Sequence, residues 1–208
     1  MTATRFILDC DPGHDDAIAL LLALASPELE LLGVTTVSGN QTLEKTTANA
    51  IRVLDHLGRA DIPVAAGAPR PLVRERYVAD YVHGETGLDV THRALFKQEH
   101  ADRLAAAGKA GKLVADLYGF YVQFHQSQYG WDGTPVHDAV AVAHVIDPSI
   151  LETKDRGVIV DTGPELSRGR TYVDLWRRAG WEPNCHVATD IDSARFLDLL
   201  VERIASLG

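Results

Sequence analysis

An α/β fold, with a mostly parallel, Rossmann-like sheet flanked by helices, is the fold class that this sequence predicts. Three observations predict it: strand-like apolar runs alternate with helix-like runs, Gly or Pro separates the runs, and acidic residues follow the first strand-like run. Such alternation is typical of parallel sheets covered by helices. Right-handed crossovers bring the carboxyl ends of the strands to one edge, where ligands of these sheets bind.

The alternation is clearest in the first third of the chain. The strands are short apolar or β-branched runs, and the first helix carries two acids in its first turn, where the helix dipole favours them. The predicted elements are a strand over Arg5–Cys10, a helix over Asp15–Ala25, a strand over Leu29–Val37, a helix over Leu43–Leu57 and a strand over Ile62–Ala66. Ser26-Pro27 ends the first helix, and Gly58 ends the second.

The alternation then breaks. Between Gly67 and Leu104 we expect no helix and at most a weak strand over Tyr77–Val82, which is unusual inside a compact domain. The elements predicted after the break are helices over Gly111–Tyr129 and His137–Ile146, strands over Gly157–Asp161, Arg170–Leu175 and Asn184–Ala188, and a final helix over Ile191–Leu207. No linker is evident, so residues 1–208 are predicted to form one domain.

Composition excludes several classes of function. The chain has 208 residues and a formal net charge of −9, which argues against nucleic acid or an anionic membrane as the main partner. Its longest apolar run, Ala17–Ala25, is too short to span a bilayer. The first residues carry no signal-peptide core, so the cytoplasm is the predicted compartment. Cys10 and Cys185 are the only cysteines, which excludes a disulfide framework or a Cys zinc site as the basis of the fold.

The segment Asp9-Cys10-Asp11-Pro12-Gly13-His14-Asp15-Asp16 follows the first predicted strand and carries four carboxylates. Individually, these acids are explained as a turn cap and as helix-start acids. As a group they repel one another unless a positive charge compensates, and no Lys or Arg lies between Arg5 and Lys45. A hard divalent cation, calcium or magnesium, would supply that charge. His14 is expected to face solvent.

A second polar cluster, Pro135-Val136-His137-Asp138, opens an apolar helix. Asp138 is either a first-turn helix acid or a further ligand for the same cation. His137 is either structural or a proton donor at the mouth of the site. Spacing alone leaves both alternatives open.

These residues resemble the inosine–uridine-preferring nucleoside hydrolases. The stretch Asp9–Ala17 resembles the N-terminal signature of that family, and the resemblance extends to most of the chain. The further matching stretches are Thr35–Gln41, Thr46–Ala50, His83–Leu88, Leu88–Leu95, Pro135–Ala139 and Gly169–Thr171. The resemblance implies an enzyme that hydrolyses the N-glycosidic bond of ribonucleosides to free base and ribose.

The resemblance also implies roles for individual residues. Asp11, Asp16 and Asp138 would bind calcium, and Asp11 would take the proton from the attacking calcium-bound water. Asp15 and Asn40 would hydrogen-bond the ribose hydroxyls. His83 and His137 would line the base side, with His137 donating a proton to the departing base. The implied partners are a small ribonucleoside and further copies of the chain in a homo-oligomer.

The chain is short for this family, whose members run to roughly three hundred residues as one domain. The His83–Leu88 and Leu88–Leu95 motifs, separated by a long segment in the family, meet here near residues 87–90. We therefore expect an internal deletion of about a hundred residues, inferred from that family size, with loss of central strands and reduced or absent turnover. A catalytically inactive remnant that binds metal and ribosyl compounds is the alternative. A phosphotransferase with an Asp-x-Asp nucleophile is a third, although it leaves Asp15, Asp16 and Asn40 unexplained.

Overall fold

A three-stranded parallel sheet forms the centre of the computed structural model, which describes residues 2–73, 94–163 and 167–208. Its strands are β1 (Thr4–Cys10), β2 (Leu29–Thr36) and β3 (Val64–Ala66), in the order β1-β2-β3. The predicted α/β class and these three strands are confirmed. Their carboxyl ends meet at one edge, as expected for right-handed crossovers.

Two helices connect these strands: α1 (His14–Leu24) and α2 (Leu43–His56). Both pack against β2. The central residues of α1, from Ala17 to Ala23, are all buried, so this helix lies inside the core rather than on its surface. A helix that is apolar on every side is typical of such a position.

Further helices complete the core around α1. They are α3 (Gln98–Ala105), α4 (Lys109–Tyr129), α5 (His137–Ile146) and α6 (Ser193–Ala205), and the last three pack against α1. Their largest fully buried side chains include Leu104, Phe196 and Leu200. No described helix combines the length and apolar character that crossing a bilayer requires.

Among the residues that the structure describes, three antiparallel strand pairs lie outside the parallel sheet. β4 (Leu95–Lys97) pairs with β5 (Gly133–Pro135), β6 (Leu151–Arg156) with β9 (Cys185–Ile191), and β7 (Val158–Val160) with β8 (Thr171–Val173). Three of these strands lie in or overlap predicted strands; β4, β5 and β6 were not predicted. β6 reads LETKDR and has no apolar run, so its strand conformation depends on pairing with β9.

The expectation of no helix between Gly67 and Leu104 was wrong, because α3 begins at Gln98. Only Ala101 and Leu104 of this helix are buried, and two apolar residues three apart give a weak periodic signal. The predicted weak strand over Tyr77–Val82 and the junction near residues 87–90 lie outside the described residues. The single-domain prediction for residues 1–208 stays a prediction.

Within the described ranges, β1 is an edge strand that pairs only with β2. Phe6 and Leu8 pack against the core on the face that α1 covers, whereas Ile7, on the other face, is 59% exposed. Strands of parallel sheets are normally covered on both faces. Ile7 therefore lies on a sheet face that the described residues leave uncovered. Separately, we call the hydrogen-bonding side of β1 that faces away from β2 the β1 edge.

Candidate active site

The turn between β1 and α1 is organised by the carboxylate of Asp16. Its Oδ1 accepts a hydrogen bond from the backbone N–H of Asp11 (3.1 Å), and its Oδ2 accepts from the N–H of Gly13 (2.9 Å). Asp16 is 4% exposed and also receives the side-chain amide of Asn40 on Oδ2 (3.1 Å). It thus satisfies N–H groups of the turn that leads into α1 while facing the carboxyl edge of the sheet.

Asn40 joins the loop after β2 to this turn. Its backbone N–H donates to Oδ2 of Asp11 at 2.5 Å, and its side-chain amide donates to the carbonyl of Asp11 at 3.1 Å. Gly39 makes the approach possible, because a Cβ at that position would lie 2.3 Å from Oδ2 of Asp11. The loops after β1 and β2 are therefore locked together around one carboxylate.

Asp15, Asp16 and Asp138 form a group in which one carboxylate oxygen from each residue lies within 4.8 Å of the other two. Asp15 and Asp16 belong to the first turn of α1, and Asp138 to the first turn of α5. The two helices pack against each other, which brings Asp138 to this edge. The structure brings together two of the predicted metal ligands, Asp16 and Asp138. The third member of the group is Asp15, which was predicted to bind ribose, and not Asp11, the third predicted ligand.

Asp11 lies beside this group rather than in it. A cavity of about 320 Å³ between β1 and α5 is lined by Asp9, Asp11, Asp16 and Asp138 together with apolar side chains. Of the described residues that line it, none is Lys or Arg. Four acids thus share one cavity with no cationic side chain on its wall.

The electrostatics reflect this crowding. Burial, together with the neighbouring charges of Asp16 and Asp11, raises the pKa of the Asp15 carboxyl to about 6 against opposing backbone hydrogen bonds. Burial, followed by the charges of Asp16, Asp11, Asp9 and Asp138, raises the pKa of the Cys10 thiol to about 12. A bound cation would relieve both effects, since it favours the ionised carboxylates.

A second cavity, of about 410 Å³, lies on the other side of the turn. It is lined by Asp15 and Asn40 and by α4 residues that include Phe120 and Tyr121. The His14 ring stacks on both aromatic rings, with centroid distances of 5.3 and 4.9 Å. The expectation that His14 faces solvent was therefore wrong. The ring is partly buried, and burial lowers its pKa.

Of the two histidines predicted to line the base side of the site, the structure describes only His137. His137 is exposed and is the first residue of α5, directly before Asp138. His83 lies outside the described residues. The aromatic wall of Phe120 and Tyr121 was missed by sequence reasoning, because aromatic residues on a helix give no local signal of the loop they will face.

Comparisons with known proteins identify relatives over nearly the whole chain. A model of the family "Inosine-uridine preferring nucleoside hydrolase" matches residues 6–90 and 86–198. The pyrimidine-specific ribonucleoside hydrolase RihA of Enterobacter sp. (strain 638) is 33% identical over 310 residues, covering 99% of each chain. RihA of Salmonella gallinarum is 32% identical over 306 residues, covering 97% of this chain and 98% of its own.

The fold has solved counterparts as well. The structure of a purine-preferring ribonucleoside hydrolase from Gardnerella vaginalis matches with a TM-score of 0.84 at 21% identity. The match covers 98% of this chain and 99% of that chain. At this identity the similarity supports the fold alone.

Proposed function

The chain belongs to the inosine-uridine preferring nucleoside hydrolase family, and from this premise we propose that it hydrolyses ribonucleosides to base and ribose with calcium bound at the acidic group. The observation that carries the proposal is the convergence of Asp15, Asp16 and Asp138 at the edge where Asp11 and Asn40 also meet. Family membership leaves the phosphotransferase alternative without support.

The donor set fits a hard cation. The available ligand atoms are carboxylate oxygens, which suit calcium or magnesium better than zinc. Oδ1 of Asp16 accepts one hydrogen bond from the described residues, so it retains a lone pair for a metal, whereas Oδ2 accepts two. A bound calcium ion would neutralise the crowded acids and lower the pKa of a water molecule.

The other steps of the proposed reaction are assigned to different side chains of this protein. Asp11, held by the N–H of Asn40, is positioned to accept a proton from the attacking water. Asp15 and Asn40 border both the acidic group and the second cavity, so they are placed to orient ribose hydroxyls. His137, exposed beside Asp138, is the proposed proton donor to the departing base.

We also propose that turnover is low because the chain is internally shortened. The RihA alignment of 310 residues exceeds the 208 residues of this chain, so about a hundred of its positions lack a counterpart here. The two family matches meet at residues 86–90. An exposed β1 edge is the expected consequence of losing strands that would pair there.

Two measurements on the purified chain test the proposal: calorimetric titration with calcium, and base release from uridine, cytidine and inosine with calcium or with a chelator. Uridine and cytidine come first because the RihA relatives are named pyrimidine-specific. We expect saturable calcium binding and slow, calcium-dependent release of base. His137→Ala should lower turnover roughly 10²–10⁴-fold without changing calcium affinity.

The possible outcomes separate the alternatives. Calcium binding without base release would favour the inactive remnant, and turnover comparable to that of the RihA relatives would contradict the proposed shortening of the site. Failure to bind calcium would overturn the metal assignment. The cytoplasmic location and the homo-oligomer stay predictions.

A further inference from the structure

The ring of His14 has no part in the proposed reaction, although this residue directly precedes Asp15. The side chain reaches from the first turn of α1 to α4, where its ring stacks on Phe120 and Tyr121. The interplanar angles are 13° and 9°, so the imidazole lies nearly parallel to both rings. Contact with two rings at once holds the imidazole in one orientation.

This stack of three rings lies next to the acidic group. All three rings line the second cavity, together with Asp15, which belongs to that group. Burial raises the pKa of the Tyr121 hydroxyl, and the charges of Asp15, Asp138 and Asp16 act in the same direction. Tyr121 therefore lies within electrostatic reach of every acid in the group.

The second cavity suits a flat, polar heterocycle better than the first cavity does. Its walls combine the aromatic rings with the side-chain amides of Asn40, Gln41 and Asn49. The first cavity, apart from its acids, is lined mainly by aliphatic side chains. Under the proposed function Asp15 and Asn40 orient the ribose, so the base attached to that ribose can reach the aromatic wall.

The His14 ring takes up space on this wall. A purine is a pyrimidine ring fused to an imidazole ring, so it exceeds a pyrimidine by a ring like that of histidine. The faces of Phe120 and Tyr121 that His14 covers are not available to a ligand. A one-ring base therefore fits beside His14 more easily than a two-ring base.

We propose that His14 is a specificity-determining residue, which favours pyrimidine over purine nucleosides by occupying the part of the aromatic wall that the second ring of a purine would need. This role rests on the proposed function, because the ribose must lie at Asp15 and Asn40. Its basis is shape, since ring stacking holds the imidazole and no hydrogen bond from it to the base is required.

The ratio of kcat/KM for uridine to that for inosine, measured by base release from the full chain with calcium, tests the proposal. For protein that binds nucleosides without releasing base, the ratio of dissociation constants from calorimetry replaces it. We expect the wild-type chain to favour uridine. His14→Ala should shift the ratio towards inosine roughly tenfold or more, because the vacated space accepts the larger base. His14→Phe keeps a flat ring and should retain the preference.

Phe120→Ala keeps the proposal testable if His14→Ala fails to fold, because Phe120 is 71% exposed and its removal disturbs the core little. Without that ring the His14 stack loses one partner, so the ratio should shift towards inosine by a smaller factor. His186→Ala is the matched control, since this exposed histidine lies on β9, and its ratio should equal that of the wild-type chain. Circular dichroism verifies that each variant folds.

The outcomes distinguish this role from the proposed function. A wild-type chain without preference for uridine would overturn the role of His14 alone, as would a ratio that His14→Ala, or Phe120→Ala in its place, leaves unchanged. Loss of the preference in His14→Phe would also overturn it, because the ring nitrogens would then be recognised rather than the shape. A wild-type chain that neither binds nor cleaves either nucleoside would overturn the proposed function and this role together.

Discussion

Two regions supply the acids of the candidate site, and they are held in place by different forces. The turn of Asp11 and Asp16 is fixed by hydrogen bonds to N–H groups of its own segment and of Asn40. Asp138 is brought to the same place by the packing of α5 on α1 through small buried residues such as Ala139 and Ala143. The difference implies that polar and apolar substitutions will damage the site in separable ways.

The largest effect is expected from Asp16→Ala, which removes both the acceptor that organises the turn and a proposed metal ligand. The free energy of unfolding in calcium-free buffer should fall by about 1–3 kcal/mol, because N–H donors near the start of α1 lose their partner. Calcium binding should become undetectable. Chemical denaturation and calorimetric titration measure the two effects.

Asp116→Ala is the matched control, since Asp116 is an exposed acid on α4 paired with Lys112. Its removal should change the free energy of unfolding by less than about 0.5 kcal/mol. If Asp16→Ala proved as stable as this control, the turn would not depend on the carboxylate, and the contrast between the two regions would fail.

A smaller effect on calcium binding is expected from Ala143→Leu, which enlarges a fully buried residue on α5. Overpacking should cost about 1–3 kcal/mol and shift Asp138 away from Asp15 and Asp16. Calcium affinity should weaken while the hydrogen bonds of the turn persist, as amide hydrogen exchange at Gly13 and Asn40 would report. Ala105→Leu, the same change at an exposed position of α3, should leave both properties unchanged. Loss of protection in the turn would show that the two regions are coupled.

The smallest effect concerns Gly39, where a Cβ would meet Oδ2 of Asp11 at 2.3 Å. Gly39→Ala should destabilise the protein by about 1–2 kcal/mol and lower base release by displacing Asp11. Gly119→Ala on α4 is the control, because a Cβ there meets nothing within 4 Å. It should instead stabilise the helix by about 0.5–1 kcal/mol. Equal behaviour of the two variants would mean that the turn readily accommodates the extra carbon.

Local patterns predicted much of this molecule. The strands β1, β2 and β3 and the helices that join them follow from apolar runs and their end signals, because each is encoded within about a dozen consecutive residues. The crowding of Asp11, Asp15 and Asp16 is equally local, because the tight Pro-Gly turn between Asp11 and Asp15 keeps these side chains close together. The family resemblance supplied Asp138 as a partner, which spacing alone had left open.

Other features depend on contacts between distant segments. His14 packs on Phe120 and Tyr121 of α4, and Asp15 lies in one group with Asp138 of α5. Both contacts depend on how α4 and α5 pack against α1, which the side chains in the core determine. The strand β6 forms only because β9 lies beside it. Such features arise from packing across the core, where the stabilising contacts join residues far apart along the chain, and periodicity within a segment carries no information about them.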